Sequence, residues 1–276
     1  MLVTCRKKSC ANLGKTDSAA VKACFCFFRH LLLILEFFFR GWIIALCTKD
    51  PILRRKRNIQ NTSRVAKKFL KAFQIDLQFQ NLQRLNDCQD RPCLLVANHV
   101  SYTDIIILAS LQNLVFITSV EMGNNPFLGT ITRLGGSLYT DRRKHLSLKT
   151  EIQNFTAVIK QGFNVVLFPE GTSSDGTTVR EFRRSLFQIA LNADCPILPV
   201  CIKYQSIDHQ KLSDRNRDLI CWYGNMTFLP HFMKLLGHKI SAEIRILEPI
   251  VQIQGKTRSE LSEAAYRQIH DSYHAM

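Results

Sequence analysis

The sequence lacks the motifs of the commonest metal sites and of the serine hydrolases. Its ten cysteines include no Cys-x-x-Cys pair, and its eight histidines show no spacing typical of metal ligands. A zinc site is therefore not expected, and the cysteines are interpreted as small buried residues in a reducing compartment. A Gly-x-Ser-x-Gly turn is also missing, which removes the usual signature of a Ser nucleophile.

Acidic residues are scarce in one part of the chain only. Residues 1–70 contain fifteen Lys and Arg against three Asp and Glu, and the rest of the chain contains 22 against 19. The formal net charge of +15 therefore belongs mainly to the amino-terminal quarter. A nearly neutral body argues against a nucleic-acid groove, so no nucleic-acid partner is expected. A basic arm beside an apolar segment fits anionic lipid headgroups better.

Residues 23–47 form the most apolar stretch of the chain. The stretch is long enough to span a bilayer, but Arg29, Glu36 and Arg40 interrupt it and would share one narrow sector of a helix. Such a stripe favours a helix that lies in the membrane interface. The alternatives are a spanning helix whose stripe packs against protein and a soluble core helix. The adjacent basic run Arg54–Arg57 indicates the cytoplasmic face of a membrane, which we expect to be a bacterial inner membrane.

The chain divides into three predicted parts. Residues 1–22 form a basic amino terminus that is expected to be mobile, and residues 23–60 form a membrane-associated helix with its basic cluster. Residues 61–276 alternate apolar runs with amphipathic helices, and they contain no repeat or low-complexity linker. This alternation predicts an α/β domain. Two of its helices are predicted over residues 61–73 and 181–193.

The turn around His99 carries the clearest candidate for chemistry. A short apolar strand ends at Ala97 and a helix opens near Thr103, so His99 lies at the sheet edge where open α/β folds bind ligands. Asp104 can meet His99 across this turn, accept the Nδ1 proton and leave Nε2 free to take a proton. No Ser or Cys nucleophile accompanies the pair, so the substrate's own hydroxyl could be the acceptor. His-x4-Asp is a common spacing, and a surface turn with an Asp near a helix N-terminus is the alternative.

Another polar block, Phe168–Ser174, follows a later apolar strand and is the third of four blocks in chain order. Together with Asn98–Asp104, Gly136–Arg142 and the Pro-bearing strand Ile197–Val200, it forms four blocks in a fixed order. In these blocks the chain resembles the glycerolipid acyltransferase superfamily, which contains the lysophosphatidic acid acyltransferases and their relatives. The resemblance covers about residues 65–250.

The resemblance implies a mostly buried sheet wrapped by helices, with both polar blocks opening onto one cleft. It implies transfer of a fatty acyl group from an acyl-CoA or acyl carrier protein thioester to the free hydroxyl of a lysolipid in the membrane. His99 would be the general base and Asp104 its orienting partner. Residues of the second and third blocks would bind the acceptor, namely Arg142, Glu170, Gly171 and Thr172. No metal and no bound redox cofactor is implied.

One position departs from the family pattern. Many relatives have Arg after Glu-Gly-Thr, where this chain has Ser173, and the run that follows resembles a branch with bacterial lyso-ornithine lipid acyltransferases. The missing arginine weakens the case for a phosphomonoester headgroup, although Arg180, Arg183 or Arg184 could compensate. Ser173, Arg183 and Arg184 are the candidates for supporting the headgroup. We expect 1-acylglycerol 3-phosphate as the acceptor, giving phosphatidic acid in phospholipid biosynthesis. Lyso-ornithine lipid is the alternative acceptor; a lipid hydrolase and a non-catalytic membrane-binding module are the alternatives outside acyl transfer.

Overall fold

The structure, a computed structural model, describes residues 13–88, 91–141 and 147–276. Its strands are β1 (Ile75–Gln80), β2 (Leu94–Ala97), β3 (Leu114–Ser119), β4 (Leu138–Thr140), β5 (Asn164–Leu167), β6 (Ile197–Ile207), β7 (Gln210–Lys211) and β8 (Ile240–Ile246). Its helices are α1 (Leu13–Cys47), α2 (Pro51–Ala72), α3 (Tyr102–Leu111), α4 (Val120–Asn124), α5 (Pro126–Leu134), α6 (Leu148–Lys160), α7 (Gln188–Ala193), α8 (Phe228–Leu235) and α9 (Arg258–His274).

The described strands form one sheet in the order β1-β8-β6-β2-β5-β3-β4, with β7 paired to β6. Strands β2, β5 and β3 are parallel neighbours, and β6 is parallel to β2 but antiparallel to β8. The carboxyl ends of β2 and β5 therefore meet at one edge, which brings the first and third polar blocks together. The predicted α/β class and helix-wrapped sheet are confirmed.

The central strand β2 is buried on both faces, as expected for a parallel strand covered by helices on each side. Leu95 and Ala97 belong to the apolar core that includes residues of α2, α3 and α8. Leu94 and Val96 belong to the opposite core, with residues of α6, α7 and α9. Because side chains alternate along a strand, a side chain two positions beyond Ala97 continues toward the α2, α3 and α8 side. His99 occupies that position.

Asn98 fixes the point at which the chain leaves β2. Its side-chain amide donates a hydrogen bond to the carbonyl oxygen of Ile202 and accepts one from the amide of Ile202, both at 2.8 Å. The pair extends the β2–β6 ladder by one step beyond Ala97. Asn98 is fully buried, so its two bonds satisfy polar groups that water does not reach. The turn that contains His99 therefore starts from a fixed position.

Helices α1 and α2 pack against each other, and α2 is longer than predicted. It begins at Pro51 rather than at residue 61, because Asp50 caps it by accepting from the amide of Leu53 at 2.6 Å and proline suits the first helical position. The basic run Arg54–Arg57 therefore lies in the first turns of α2.

The charged stripe of α1 faces α2. Glu36 accepts hydrogen bonds from Lys68 of α2 at 2.7 Å and pairs with Arg40 at 3.3 Å, and the guanidinium of Arg29 donates to the carbonyl oxygen of Ala72. The charged stripe therefore packs against protein, while the predicted arrangement of α1 in a membrane stays a prediction. The large apolar side chains on the neighbouring face are exposed: Phe25, Phe28, Leu32, Leu35, Phe39, Trp42, Ile43 and Leu46.

The helix predicted over residues 181–193 is shorter. Residues 181–183 have no regular secondary structure, a 3₁₀ turn spans Arg184–Phe187, and α7 begins at Gln188. The amide of Arg183 donates to the carbonyl oxygen of Pro169 at 2.9 Å. The predicted start of the helix was wrong because residues near 183 bond to the loop after β5. The sequence around residue 183 gives no sign of this distant contact.

Candidate active site

His99 and Asp104 meet across the turn between β2 and α3. His99 Nδ1 lies 2.9 Å from Asp104 Oδ2, and the carboxylate is completely buried whereas 15% of the histidine side chain is exposed. A carboxylate accepts, so Nδ1 carries the proton and Nε2 presents its lone pair. The contact predicted from the spacing is present.

Asp104 accepts four hydrogen bonds in total. Oδ2 also accepts from the backbone amides of Val100 at 2.7 Å and Ser101 at 2.9 Å, which belong to the capped start of α3. Oδ1 accepts from the hydroxyl of Tyr204 on β6 at 2.5 Å. Burial, followed by the charge of Asp104, raises the pKa of Tyr204 well above its usual value, which keeps its hydroxyl a donor. These donors compensate for the removal of the carboxylate from water.

The loop after β5 holds the backbone of His99 at both of its polar groups. The amide of His99 donates to Glu170 Oε1 at 2.6 Å. Its carbonyl oxygen accepts from the amide of Ser174 at 2.9 Å and from the Ser174 hydroxyl at 3.2 Å. The ring of His99 stacks on Phe168, with 4.1 Å between the ring centroids. The first and third polar blocks therefore form one unit around His99.

Glu170 is buried between two loops rather than exposed to a ligand. Oε1 accepts from the amide of His99, and Oε2 accepts from the amide of Arg180 at 3.1 Å. Burial raises the pKa of Glu170 to about 7, although these two amides act in the opposite direction. This geometry gives Glu170 a positioning role, while the predicted contact with the acceptor stays untested.

An apolar cavity of about 400 Å³ opens beside His99. Its walls come from α1, α2, α3, α5, β3 and α8, and from the loops that carry Phe168 and Trp222. Tyr102, Ile105 and Ile106 of α3 continue this wall away from His99. The cavity has the lining that a hydrocarbon chain requires.

A second cavity, of about 490 Å³, adjoins the first. Ile117, Phe168 and Gly171 line both, so these three residues mark where the two cavities meet. The second cavity has charged side chains of both signs in its wall: Asp141, Glu181, Arg183 and Arg184. It can therefore contact a charged group of either sign.

Gly171 lies at this junction for a steric reason. Its φ of +80° is unfavourable for other residues, and a Cβ there would lie 2.8 Å from Nε of Arg183. Arg183 therefore packs directly against the glycine backbone.

The two residues after Gly171 differ in what they contact. Thr172 is exposed and lines the apolar cavity, while the Ser173 hydroxyl donates to the carbonyl oxygen of Trp222. The described geometry thus places Arg183 and Arg184, but not the Ser173 hydroxyl, where a headgroup could contact them.

The predicted role of Arg142 and the predicted independence from a metal or redox cofactor are not tested by the structure. Arg142, the predicted anchor of the acceptor, lies outside the described residues. No three His, Cys, Asp or Glu side chains converge as metal ligands within the described part of the chain, and the expected independence from a metal or redox cofactor stays a prediction.

Tyr204 is the residue of this site that sequence reasoning missed. It lies 100 residues beyond Asp104, in the second half of β6. The hydroxyl of Thr103 lies 2.6 Å from the hydroxyl of Tyr204, which completes the buried network. An isolated Tyr in an apolar strand gives no local signal of this role.

Comparison with known proteins agrees with the fold and the motifs. The family described as Acyltransferase matches residues 75–203. The lyso-ornithine lipid O-acyltransferase of Pseudomonas aeruginosa is 34% identical over 180 residues, which cover 65% of this chain and 67% of that protein. The enzyme of the same name from Rhizobium meliloti is 32% identical over 153 residues, 53% of this chain and 52% of that protein. The chain is thus matched over about half to two thirds of the length of these relatives.

The fold is similar to that of a solved acyltransferase structure. It is the 1-acyl-sn-glycerophosphate (LPA) acyltransferase PlsC from Thermotoga maritima, with a TM-score of 0.60, 21% identity, and coverage of 91% of this chain and 97% of that one. The fold is an α/β sheet, and its His–Asp pair lies where the parallel strands end. Both features are those expected of a glycerolipid acyltransferase. The chain belongs to the glycerolipid acyltransferase superfamily.

Glu170 makes stability depend on pH. Its folded pKa of about 7 exceeds the ordinary 4.5, so unfolding between these values releases a proton and becomes easier as the pH rises. We expect the unfolding free energy of the wild type, minus that of Glu170→Gln, to fall by roughly 3 kcal/mol between pH 5 and 8. Urea unfolding of both proteins in detergent measures the difference. A difference that increases with pH would contradict the raised pKa.

Proposed function

We propose that the protein transfers a fatty acyl group from an acyl-CoA or acyl carrier protein thioester to the hydroxyl of a lysolipid. The observation that supports this best is the placement of His99. Its ring lines an apolar cavity, while its Nδ1 contacts the buried carboxylate of Asp104. A lipid hydroxyl held at Nε2 would have its own chain in an apolar surrounding and its proton facing a base.

The reaction follows from this arrangement. Nε2 of His99 takes the hydroxyl proton as the oxygen attacks the thioester carbonyl, and a C–O bond replaces the C–S bond. The proton then passes from Nε2 to the departing thiolate. Asp104 stabilises the imidazolium that forms between these events, because its charge faces Nδ1 and remains hydrogen-bonded throughout. No side-chain nucleophile is required.

The two cavities suggest how the acceptor lies. Its acyl chain occupies the apolar cavity, and its headgroup passes the junction at Phe168 and Gly171 into the second cavity. There Arg183 and Arg184 can pair with an anion, while Glu181 can pair with a cation. The mixed charge supports a zwitterionic headgroup. Ornithine acylated on one amine has this character, since it keeps one carboxylate and one ammonium group.

The alternative acceptor is 1-acylglycerol 3-phosphate, the substrate expected from the sequence. A phosphomonoester carries up to two negative charges, and the carboxylate of Glu181 in the cavity wall disfavours it. The guanidinium of Arg183 against Gly171 favours it, because guanidinium binds phosphate through two parallel bonds. The named activity of the relatives from Pseudomonas and Rhizobium also supports the ornithine headgroup for this chain.

The location of the reaction is part of the proposal. The Cys24–Cys47 segment of α1 is long and apolar enough to cross a membrane, and its apolar face is exposed. Arg54–Arg57 at the start of α2 can contact anionic headgroups. We place the protein on the cytoplasmic face of a bacterial inner membrane, where both a thioester donor and a lysolipid are within reach.

Substitutions of His99 and Asp104 test whether His99 is the general base. His99→Ala should abolish acyl transfer, measured as thiol release that depends on lysolipid. Asp104→Asn should lower the rate by about 10²–10⁴-fold, because the amide can keep the contacts but not the charge. The amide oxygen can accept from Nδ1, and the amide nitrogen can donate to Tyr204.

His238 offers a matched control. It forms a second His–Asp pair, with Nδ1 at 2.6 Å from Asp208, on a surface away from both cavities. His238→Ala should leave the rate unchanged. Near-normal turnover of folded His99→Ala would overturn the mechanism.

The headgroup is tested by Glu181→Gln. With lyso-ornithine lipid the substitution should raise KM several-fold, because the ammonium group loses its partner. With 1-acylglycerol 3-phosphate it should lower KM, because a repulsive charge is removed. Glu263→Gln, at an exposed carboxylate on α9, is the control for the loss of one negative charge. Equal shifts with both acceptors would refute the assignment of Glu181 to the headgroup.

A further inference from the structure

Helix α8 covers the apolar cavity and also presents an apolar surface to solvent. Phe228 and Phe232 point inward and line the cavity. Leu229 and Met233, one turn apart on the helix, are 63% and 44% exposed. Single exposed apolar residues are common on protein surfaces. Whether this pair belongs to a binding surface therefore depends on the residues around it.

A row of aromatic rings joins α8 to α1. The ring of Phe228 lies 6.0 Å from that of Phe127 on α5, which in turn lies 5.9 Å from Phe38 on α1. Phe232 lies 5.8 Å from the ring of His30, also on α1. Phe127 is itself 40% exposed. The row therefore places α8 beside α5 and α1, with the partly exposed ring of Phe127 between the two longer-range contacts.

Polar contacts of His231 on the buried side of α8 fix the position of this helix. The Nε2–H of His231 donates to the carbonyl oxygen of Cys221 at 3.1 Å, which leaves its Nδ1 to accept from the hydroxyl of Tyr102, also at 3.1 Å. Tyr102 opens α3, three residues beyond His99. This link fixes the exposed face of α8 relative to the catalytic turn.

We propose that Leu229 and Met233 of α8 insert into the same lipid surface as the apolar face of α1. The rings of Phe38, Phe127 and Phe228 then border an entrance through which an acyl chain passes sideways from the bilayer into the cavity. The proposal rests on the membrane location proposed above. It adds a second contact, on a helix other than α1, that holds the cavity mouth against the bilayer.

The test compares vesicle binding of two double variants in high salt. Vesicles of phosphatidylcholine and phosphatidylglycerol are used, so that apolar insertion rather than charge is measured. Leu229→Gln with Met233→Gln should weaken partition roughly tenfold. The α1 variant Leu35→Gln with Phe39→Gln should also weaken it.

Val251 provides the matched control. It is 65% exposed and follows Ile250, which pairs with the first residue of β6 at the sheet edge opposite His99. Val251→Gln should bind vesicles as the wild type does. With a short-chain acceptor below its micelle concentration, the α8 variant should keep its rate within about twofold, because the site itself is unchanged.

The outcomes separate the two proposals. If the α1 variant loses vesicle binding and the α8 variant binds like the wild type, the role of α8 is overturned and the membrane location stands. If neither variant loses binding, both are overturned. A loss of activity by the α8 variant on the dissolved acceptor, equal to its loss on vesicles, would also overturn the role of α8.

Discussion

The carboxylate of Asp104 is the constraint on which the site depends. A buried carboxylate has to obtain its hydrogen bonds from the protein, and here the donors come from the His99 ring, the start of α3 and Tyr204 of β6. Leaving any one of them out would expose a charge to an apolar core. The same contacts that satisfy Asp104 therefore fix the position and tautomer of His99. Local stability and the geometry proposed for catalysis therefore depend on the same hydrogen bonds.

The loop after β5 supplies the second half of this arrangement. It binds the amide of His99 through Glu170 and the carbonyl of His99 through Ser174, so the histidine backbone has little freedom. The same loop brings Phe168 and Gly171 to the junction of the two cavities. Under the proposed function, a lipid hydroxyl beside His99 would have the apolar cavity for its chain and the charged cavity for its headgroup. In the proposed account, the exposed surfaces of α1 and α8 turn the apolar cavity toward the bilayer.

Much of the site could be predicted because it is local or follows from sheet topology. Five positions separate His99 and Asp104 in a strand–turn–helix, and parallel strands bring their carboxyl ends to one edge. Contacts between distant segments could not be predicted. Tyr204 meets Asp104 only through the fold. Residues 181–183 are not helical, because the carbonyl oxygen of Pro169 accepts a hydrogen bond from the amide of Arg183. The stripe on α1 was recognised, but its partner Lys68 on α2 was not, since periodicity reveals a face without revealing what covers it.

The central claim is that the lipid hydroxyl, and not a protein side chain, attacks the thioester. Pre-steady-state thiol release from acyl-CoA tests it most directly, with the purified wild-type protein mixed with the donor alone and then with donor and lysolipid. The account predicts no release without lysolipid and, with it, one thiol for each acyl-lipid formed, without an initial burst. A burst that equals the enzyme concentration in the absence of lysolipid, with the acyl group retained on the protein, would contradict the account.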